Sequence, residues 1–324
     1  MTAGFLAATS LPMAAESQAS DAVLMVRPAA FGFNPETAAT NVFAAAVASE
    51  CALAAAAEFD RAAERLAGAG VEVVVLQDSP EPAKPDAAFP NNWVSFHGDG
   101  RVVLYPMAVP SRRNERRADA LLDLLATRGF KVSELVDLSG QEECGQVLEG
   151  TGSLVLDRPR QRAYAALGPR TDRNALAEFE RRLGYSTFAF DAADRYGRPI
   201  YHTNVMMSLG TRFAMLCTEA VAEDQRKRLV DDIEATGRTI IAADYWQLRG
   251  FACNLLELRS SSGDPLIALS ASARASLRRD QIATLERLGG ELVDAAIPTI
   301  EAVGGGSLRC MLADVHLPRV SPAI

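Results

Sequence analysis

The sequence has few of the residues on which metal and disulfide chemistry depend. Its 324 residues include three histidines, which lie far apart, and five cysteines, an odd number with no C-x-x-C pair. This spacing gives neither a disulfide framework nor a zinc site. We therefore expect no metal or other cofactor, and a reducing, cytoplasmic compartment.

Long apolar runs and an excess of basic residues are also absent. No run of 18 or more apolar residues occurs, so the sequence predicts no membrane span. A net charge of −8 and a pI near 5.1 argue against nucleic-acid binding. With 48% hydrophobic residues the chain is globular and not disordered. Its expected partner is a small molecule, and the composition is also compatible with a homo-oligomer.

Strand and helix patterns alternate along the chain and predict an α/β fold. Residues 1–20, small and rich in alanine, are expected to form a flexible N-terminal extension, and residues 21–324 a single domain. Strands are predicted at 23–26 and 71–76. Helical regions are predicted at 36–69, 118–128, 173–183, 219–235 and 271–288.

Five segments share a turn containing glycine or asparagine that leads into a short apolar strand. Anchored on Asn92, Glu149, His202, Asn254 and Cys310, a choice guided in part by the family resemblance given below, they are separated by 57, 53, 52 and 56 residues. Repeats of this length suit a ring with pseudo-fivefold symmetry, in which the equivalent strand starts face the axis. Residues that are distant in sequence would then meet in one pocket.

The stretch 304–310 (GGGSLRC) carries the clearest chemical signal. A free cysteine is most often an inert buried residue, but three glycines that allow close backbone approach favour a nucleophile at Cys310. Such a nucleophile needs a base and a carboxylate. His202 is the best candidate base because imidazole changes charge near neutral pH. Glu149, beside Gly150, is the candidate carboxylate.

Together, four motifs resemble the guanidino-group-modifying enzyme superfamily: 89–92 (FPNN), 148–150 (LEG), 202–204 (HTN) and 305–310 (GGSLRC). That superfamily includes arginine deiminases, dimethylarginine dimethylaminohydrolases and amidinotransferases. The resemblance extends from about Asp21 to the C-terminus and is closest to the citrulline-utilisation hydrolases, an amidinotransferase-like branch. It implies a five-bladed α/β propeller, the pentein fold.

The resemblance also implies roles for individual residues. Cys310 would attack the planar carbon of a guanidino or ureido group, and His202 would protonate the leaving nitrogen and then activate water. Glu149 would bind the substrate nitrogens. Further substrate-binding residues are implied at Asn92, Asn204, Asp86, Arg112, Arg113 and Arg170, the arginines being candidates for the substrate carboxylate.

Two amides distinguish this chain from arginine deiminases, which carry aspartates where it has Asn92 and Asn204. A buried guanidinium that faces amides loses charge-assisted hydrogen bonds, each worth about 1.5–3 kcal/mol. An amide NH₂ can instead donate to the carbonyl oxygen of a neutral ureido group. The expected reaction is hydrolysis of L-citrulline to L-ornithine, carbon dioxide and ammonia through an S-carbamoyl-cysteine.

Three other functions remain open at this point. The nearest is an arginine dihydrolase, which by the same family resemblance also carries asparagine at the position of Asn92 and, like a deiminase, would act on the guanidino group. An amidinotransferase would need an amine acceptor. A non-enzymatic binding module of the same fold would not require Cys310, His202 and Glu149 together.

Overall fold

The computed structural model describes residues 16–46 and 51–320, so most of the expected N-terminal extension lies outside it. The strands are β1 Ala22–Arg27, β2 Glu72–Gln77, β3 Val94–Phe96, β4 Arg101–Leu104, β5 Glu134–Asp137, β6 Val155–Asp157, β7 Arg162–Leu167, β8 Ser186–Asp191, β9 Met207–Leu209, β10 Phe213–Leu216, β11 Thr239–Ala242, β12 Leu256–Arg259, β13 Pro265–Ser270, β14 Glu291–Ala295 and β15 Ala313–Asp314. The helices are α1 Pro35–Ala38, α2 Cys51–Gly68, α3 Pro110–Arg113, α4 Ala118–Thr127, α5 Gly150–Ser153, α6 Arg173–Leu183, α7 Thr203–Met206, α8 Glu223–Glu234, α9 Tyr245–Arg249, α10 Ala271–Ser276, α11 Arg279–Gly289 and α12 Pro298–Gly304.

Within the described residues, these strands form five three-stranded sheets of identical topology. In each sheet the central strand pairs antiparallel with one edge strand (β15, β3, β6, β9 or β12), which we call the first strand of its sheet, and parallel with the other. A parallel pair requires a crossover connection, and a helix supplies it here, as α4 does between β4 and β5. The result is a mixed α/β fold built from five small sheets.

The two ends of the described chain meet in one of these sheets. Strand β15 pairs antiparallel with β1 through Val23–Asp314 and Leu24–Ala313, and β1 pairs parallel with β2. The C-terminal stretch that precedes β15 is thereby fixed against the N-terminal part of the domain.

Helix α2 shows how the alanine-rich sequence builds this core. Its buried residues include Ala55, Phe59, Ala62 and Leu66, which recur every three or four positions and so lie on one face. That face belongs to a hydrophobic cluster that also holds residues of β1, β13 and β14. No helix in residues 16–46 and 51–320 is long and apolar enough to cross a membrane.

The single helical region predicted over 36–69 is wrong. Helix α1 ends at Ala38 and α2 begins at Cys51, and residues 39–46 between them are not helical. The Asn41 side chain donates to the carbonyl oxygens of Gly304 and Gly305, and Ala45 N donates to Ala302 O. These long-range bonds replace the helical ones. We call residues 34–46 the covering segment.

Two other predicted helices are shorter than expected, whereas those at 118–128 and 173–183 are confirmed. The region 271–288 divides into α10 and α11, because Arg278 N donates to the Gln281 side chain and starts a new helix. In the region 219–235, helix α8 begins only at Glu223.

Candidate active site

The five anchor residues occupy equivalent places in the fold. Each comes shortly before the first strand of its sheet, in a turn that leads into β3, β6, β9, β12 or β15. Side chains from these turns are in contact: Glu149 with His202, and Asn254 with Cys310. The prediction that these distant positions converge is confirmed for these two pairs.

A small buried cavity lies among these turns. Its volume is about 20 Å³, and its walls are Thr37, Asn41, Asp86, Phe89, Asn92, Arg112, Arg170, Tyr201, His202, Gly304, Gly305, Gly306 and Cys310. A space of this size holds about one water molecule and no amino acid. Thr37 and Asn41 belong to the covering segment, so that segment closes the site.

Glu149 is completely buried and surrounded by donors. Its Oε1 accepts from Ala108 N at 3.1 Å, and its Oε2 lies 2.8 Å from His202 Nε2 and 3.3 Å from Arg170 Nη1. Burial alone would raise the pKa of this carboxyl, but Arg170, the His202 hydrogen bond and Arg112 together lower it well below its usual range. Glu149 is therefore ionised.

His202 is held as a neutral imidazole. Burial, with smaller contributions from the charges of Arg170 and Arg112, lowers its pKa to about 4 against the opposing effect of Glu149. An ionised carboxylate can only accept, so the Nε2 that faces Glu149 carries the proton. Nδ1 is then the unprotonated nitrogen, free to act as a base.

Cys310 lies in a 3₁₀ turn just before β15 and is 5% exposed. Burial raises the pKa of its thiol, although hydrogen bonds lower it in part. Two side-chain amides point at its sulfur: Asn254 Nδ2 at 3.5 Å and Asn204 Nδ2 at 3.7 Å. All five cysteines lie in the described ranges and are free thiols.

The glycines before Cys310 are required by close packing. A Cβ on Gly304 or Gly306 would come within 2.8 Å of the Phe89 ring. Gly305 has φ +65°, and a Cβ there would meet the Asn41 side chain at 2.5 Å. The glycine run therefore lets Phe89 and the covering segment pack directly on the backbone beside the nucleophile.

Asn92 is fixed in one orientation. Its Oδ1 accepts from Arg112 Nη1 at 2.7 Å, and a guanidinium can only donate. Its Nδ2 therefore faces the other way, where it donates to Asn91 Oδ1 at 3.0 Å. A Cβ on Gly152 would come within 2.5 Å of Nδ2 and 2.9 Å of His202 Cε1, so Gly152 separates the Asn92 amide from the imidazole.

The three candidate arginines have different surroundings. Arg112 is buried and forms a two-point ion pair with Glu115 at 2.9 and 2.8 Å. Arg170 is buried beneath the covering segment and donates to Thr37 O and Thr40 Oγ1, both at 2.9 Å. Arg113 is partly exposed, pairs with Glu142 and does not line the cavity.

Asp86 does line the cavity, and it too holds the covering segment. Its Oδ2 accepts from Asn34 Nδ2 at 2.7 Å and from Thr37 Oγ1 at 3.1 Å, and it lies 4.0 Å from Arg112 Nε. Of the predicted site residues, Glu149 and Asn204 do not line this cavity but contact His202 and Cys310, which do, and Arg113 alone is remote from it.

Sequence reasoning did not assign Tyr201, Asn254 or the covering segment to the site. Tyr201 donates its hydroxyl to Gly305 O at 2.8 Å, and Arg170 lies over its ring at 5.0 Å. Asn254 was available as a signal, since it is one of the five anchors. In the described part of the chain, no group of three His, Cys, Asp or Glu side chains could hold a metal ion.

Five small mixed sheets bring a cysteine, a histidine and a glutamate beside a cavity lined by two arginines, the combination that the resemblance to the guanidino-group-modifying superfamily predicts. A family model described as "N,N dimethylarginine dimethylhydrolase, eukaryotic" matches residues 27–317. The chain belongs to this family of hydrolases that act on C–N bonds. No curated protein sequence matches it significantly.

Solved structures share the fold at low sequence identity. The N-terminal domain of the cyanobacterial arginine dihydrolase ArgZ, covalently bound to a reaction intermediate, is 16% identical with a TM-score of 0.70, over 92% of this chain and 99% of that one. A dimethylarginine dimethylaminohydrolase adduct with S-methyl-L-thiocitrulline is 12% identical with a TM-score of 0.62, over 90% and 98%. Against the longer ArgZ chain (16% identity, TM-score 0.65), the match covers 94% of this chain but 40% of that one.

Proposed function

We propose that this chain is a cysteine-dependent hydrolase that converts L-citrulline to L-ornithine, carbon dioxide and ammonia, with Cys310 as the nucleophile. The five sheets would surround the site as the blades of a propeller. The observation that carries the substrate assignment is the orientation of Asn92, whose acceptor oxygen is occupied by Arg112 at 2.7 Å.

A fixed NH₂ group matches a ureido oxygen better than a guanidinium. One hydrogen of Asn92 Nδ2 is used by Asn91 Oδ1, which leaves one for a substrate acceptor. A ureido group offers such an acceptor in its carbonyl oxygen, and a guanidinium offers only donors. The same donor would stabilise the negative charge that develops on this oxygen when sulfur attacks.

The protonation states allow a complete reaction cycle. The neutral imidazole of His202 takes the thiol proton, and Cys310 Sγ forms a bond to the ureido carbon. The bond from this carbon to the ornithine nitrogen breaks, and His202 returns the proton to that nitrogen. His202 then takes a proton from water, which attacks the S-carbamoyl carbon. The C–S bond breaks, the sulfur is reprotonated, and the released carbamate decomposes to ammonia and carbon dioxide.

The closed site contains charged groups suited to the amino-acid end of the substrate. Arg170 donates to neutral oxygens of Thr37 and Thr40, and Asp86 accepts from Asn34 and Thr37. When the covering segment moves away, the Arg170 guanidinium can bind an α-carboxylate. Asp86 can accept from an α-ammonium group.

Arginine dihydrolase is the second candidate, and the charges around the cavity favour it. Glu115 neutralises Arg112, so Asp86 and Glu149 exceed Arg170 by one negative charge, which would complement a cationic guanidinium. ArgZ, the structural relative described above, is an arginine dihydrolase. Such an enzyme would release two ammonia molecules for each ornithine.

The test is a substrate panel with a product balance. Purified protein is incubated separately with L-citrulline, L-arginine and dimethyl-L-arginine, and ornithine, citrulline, ammonia and dimethylamine are quantified. The proposal predicts one ammonia per ornithine from citrulline and no reaction with arginine. Two ammonia per ornithine from arginine would establish the second candidate, and citrulline with dimethylamine as end products would overturn both.

The nucleophile is tested separately from the substrate. Cys310→Ser is expected to abolish turnover, and Cys253→Ser, a change at another buried cysteine outside the cavity, serves as the matched control. Acid quenching during turnover should trap one carbamoyl group on the peptide that contains Cys310. Undiminished activity of Cys310→Ser would remove the covalent mechanism.

A further inference from the structure

Asn254 is a fully buried side chain that contacts the candidate nucleophile. It lies in the turn before β12, with 0% exposure; its Nδ2 is 3.5 Å from Cys310 Sγ, and its Oδ1, at 3.8 Å, can accept from the protonated thiol. The same Nδ2 donates to the backbone oxygen of Asn204 at 2.9 Å. The Asn204 side chain directs its own Nδ2 to the sulfur at 3.7 Å.

The charged groups around Cys310 are already committed to other partners. Arg309, the neighbouring residue, donates to Leu312 O at 2.6 Å and lies 3.6 Å from Asp314 Oδ1. The titratable and charged side chains that line the adjoining cavity are Asp86, Arg112, Arg170, Tyr201 and His202. Arg112 and Arg170 are bound to carboxylates and, for Arg170, to the covering segment. None of the contacts described for these groups is to Cys310 Sγ.

We propose that Asn254 is a catalytic residue whose amide donates to Cys310 Sγ and stabilises the thiolate, with Asn204 as a second donor. This inference rests on the proposed role of Cys310 as nucleophile, but not on the identity of the substrate. Hydrogen bonds to an ionised acceptor are about twice as strong as those between neutral groups. The amide is therefore worth more to the thiolate than to the thiol.

A neutral donor has a specific advantage at this position. Two amides stabilise the thiolate as it forms, and because they are uncharged they do not add to the positive charges of Arg112 and Arg170, which already line the adjoining cavity.

A purely structural role is the alternative, because Asn254 also holds the Asn204 backbone. Two variants separate these roles by their effect on the thiol. Asn254→Leu removes the donor at similar volume, and Asn254→Asp replaces it with an isosteric group that cannot donate when ionised. The rate of alkylation of Cys310 by iodoacetamide is measured against pH by peptide mass spectrometry.

Cys144, which is exposed, provides an internal reference for the reagent in every sample. The proposal predicts that alkylation of Cys310 at pH 8 falls about tenfold in Asn254→Leu and further in Asn254→Asp, the equivalent of one or more units in thiol pKa. The profile should shift to higher pH, with Cys144 unchanged. A profile that keeps its midpoint while the melting temperature falls would show that Asn254 is structural only.

A measurement on the unchanged chain keeps the test independent of whether the variants fold. With selective ¹⁵N-asparagine labelling, two side-chain amide resonances are expected to titrate together with Cys310 and to stay fixed in Cys310→Ser. If no asparagine side chain titrates with the thiol, the inference is wrong. Neither assay contains substrate, so a failed citrulline assay leaves this result interpretable, and the reverse also holds.

Discussion

Replacing Asn92 with aspartate tests the substrate assignment at one atom. The change converts the NH₂ group of Asn92, which contacts Asn91, into an oxygen and leaves the other oxygen in place to accept from Arg112, 2.7 Å away. Because a carboxylate is a stronger partner for Arg112 than an amide, we expect Asn92→Asp to fold normally. Any change in the kinetics of Asn92→Asp should then result from the missing hydrogen-bond donor and not from a distorted active site.

The magnitude follows from the bond that is lost. In the transition state the ureido oxygen carries negative charge, and a hydrogen bond to a charged acceptor is worth about 1.5–3 kcal/mol. Its loss corresponds to a decrease of about 10- to 100-fold in kcat/KM for citrulline. The new carboxylate repels the same oxygen and adds to this decrease. For a guanidinium substrate the carboxylate is attractive, so any activity toward arginine should rise.

The assay compares kcat/KM for citrulline and arginine in Asn92→Asp and in Asn174→Asp. The control adds the same charge at an exposed position of α6 and should match the unchanged chain. The decisive quantity is the ratio of the two substrates, which does not depend on the amount of active protein. Unchanged citrulline turnover in Asn92→Asp would refute the donor role and, with it, the argument for a ureido substrate.

Three further predictions concern the same cavity. Gly152→Ala should reduce kcat/KM at least tenfold and the free energy of unfolding by about 1–3 kcal/mol, since its Cβ would displace Asn92 Nδ2 or the imidazole. Normal activity would contradict the described geometry. Arg170→Gln should raise KM for citrulline more than it lowers kcat, because the proposed ligand of the substrate carboxylate is lost. An effect on kcat alone would mean that Arg170 only holds Glu149 in place and does not bind the substrate. The third prediction concerns stability in acid. The pKa of His202 is about 4 in the folded protein and 6.5 ordinarily, so between these values the unfolded chain binds a proton that the folded protein does not. His202 therefore contributes its full stability above pH 6.5, and this contribution is lost as the pH falls toward 4. The free energy of unfolding, measured with urea, should fall by about 3 kcal/mol because of His202. Burial also lowers the pKa values of His97 and His316, so protonation of these two residues decreases stability in the same direction. His202→Gln should flatten this pH dependence, and an unchanged slope would show that the imidazole is not held neutral.

The sequence pattern, together with the family resemblance, predicted which turns converge, and two pairs of these turns are in contact. Asn92, Glu149, His202, Asn254 and Cys310 recur at nearly equal intervals, each before an apolar strand, and the structure places each before the first strand of its sheet. In a repeat protein, residues at the same position of each repeat occupy equivalent places in the fold, whatever the conformation of the loops between the repeats. The same reasoning could have drawn attention to Asn254, whose neighbour is the sulfur.

The covering segment was not predictable in the same way. Alanine-rich sequence from 36 to 69 has strong helix propensity, and propensity is a local property that tertiary contacts override. The contacts responsible join Asn41 to Gly304 and Gly305, more than 260 residues away. No periodicity in the sequence reports such a pair.

The arginines show a second limit. Arg112 and Arg113 are adjacent in sequence, and no sequence pattern distinguishes them. In the structure Arg112 is buried and forms an ion pair with Glu115, whereas Arg113 is partly exposed and forms one with Glu142. Consecutive residues of a helical turn point in different directions, and which direction is inward depends on the neighbouring elements. Sequence spacing therefore identifies the turn but not the side chain that enters the cavity.

The closed site implies that substrate must compete with the covering segment. Arg170 donates to Thr40 Oγ1 from Nε at 3.1 Å and from Nη2 at 2.9 Å, and a cavity of about 20 Å³ admits no amino acid until these bonds break. When only a fraction of the protein is open, the apparent affinity for substrate is reduced by that fraction. Thr40→Val removes the acceptor and weakens closure by two hydrogen bonds, together about 1–2 kcal/mol. We therefore expect KM for the preferred substrate to fall by about 5- to 30-fold, the equivalent of 1–2 kcal/mol, with kcat unchanged, as measured by initial rates. A raised KM would mean that Thr40 contacts the substrate, and an unchanged KM would mean that the covering segment opens without breaking these bonds.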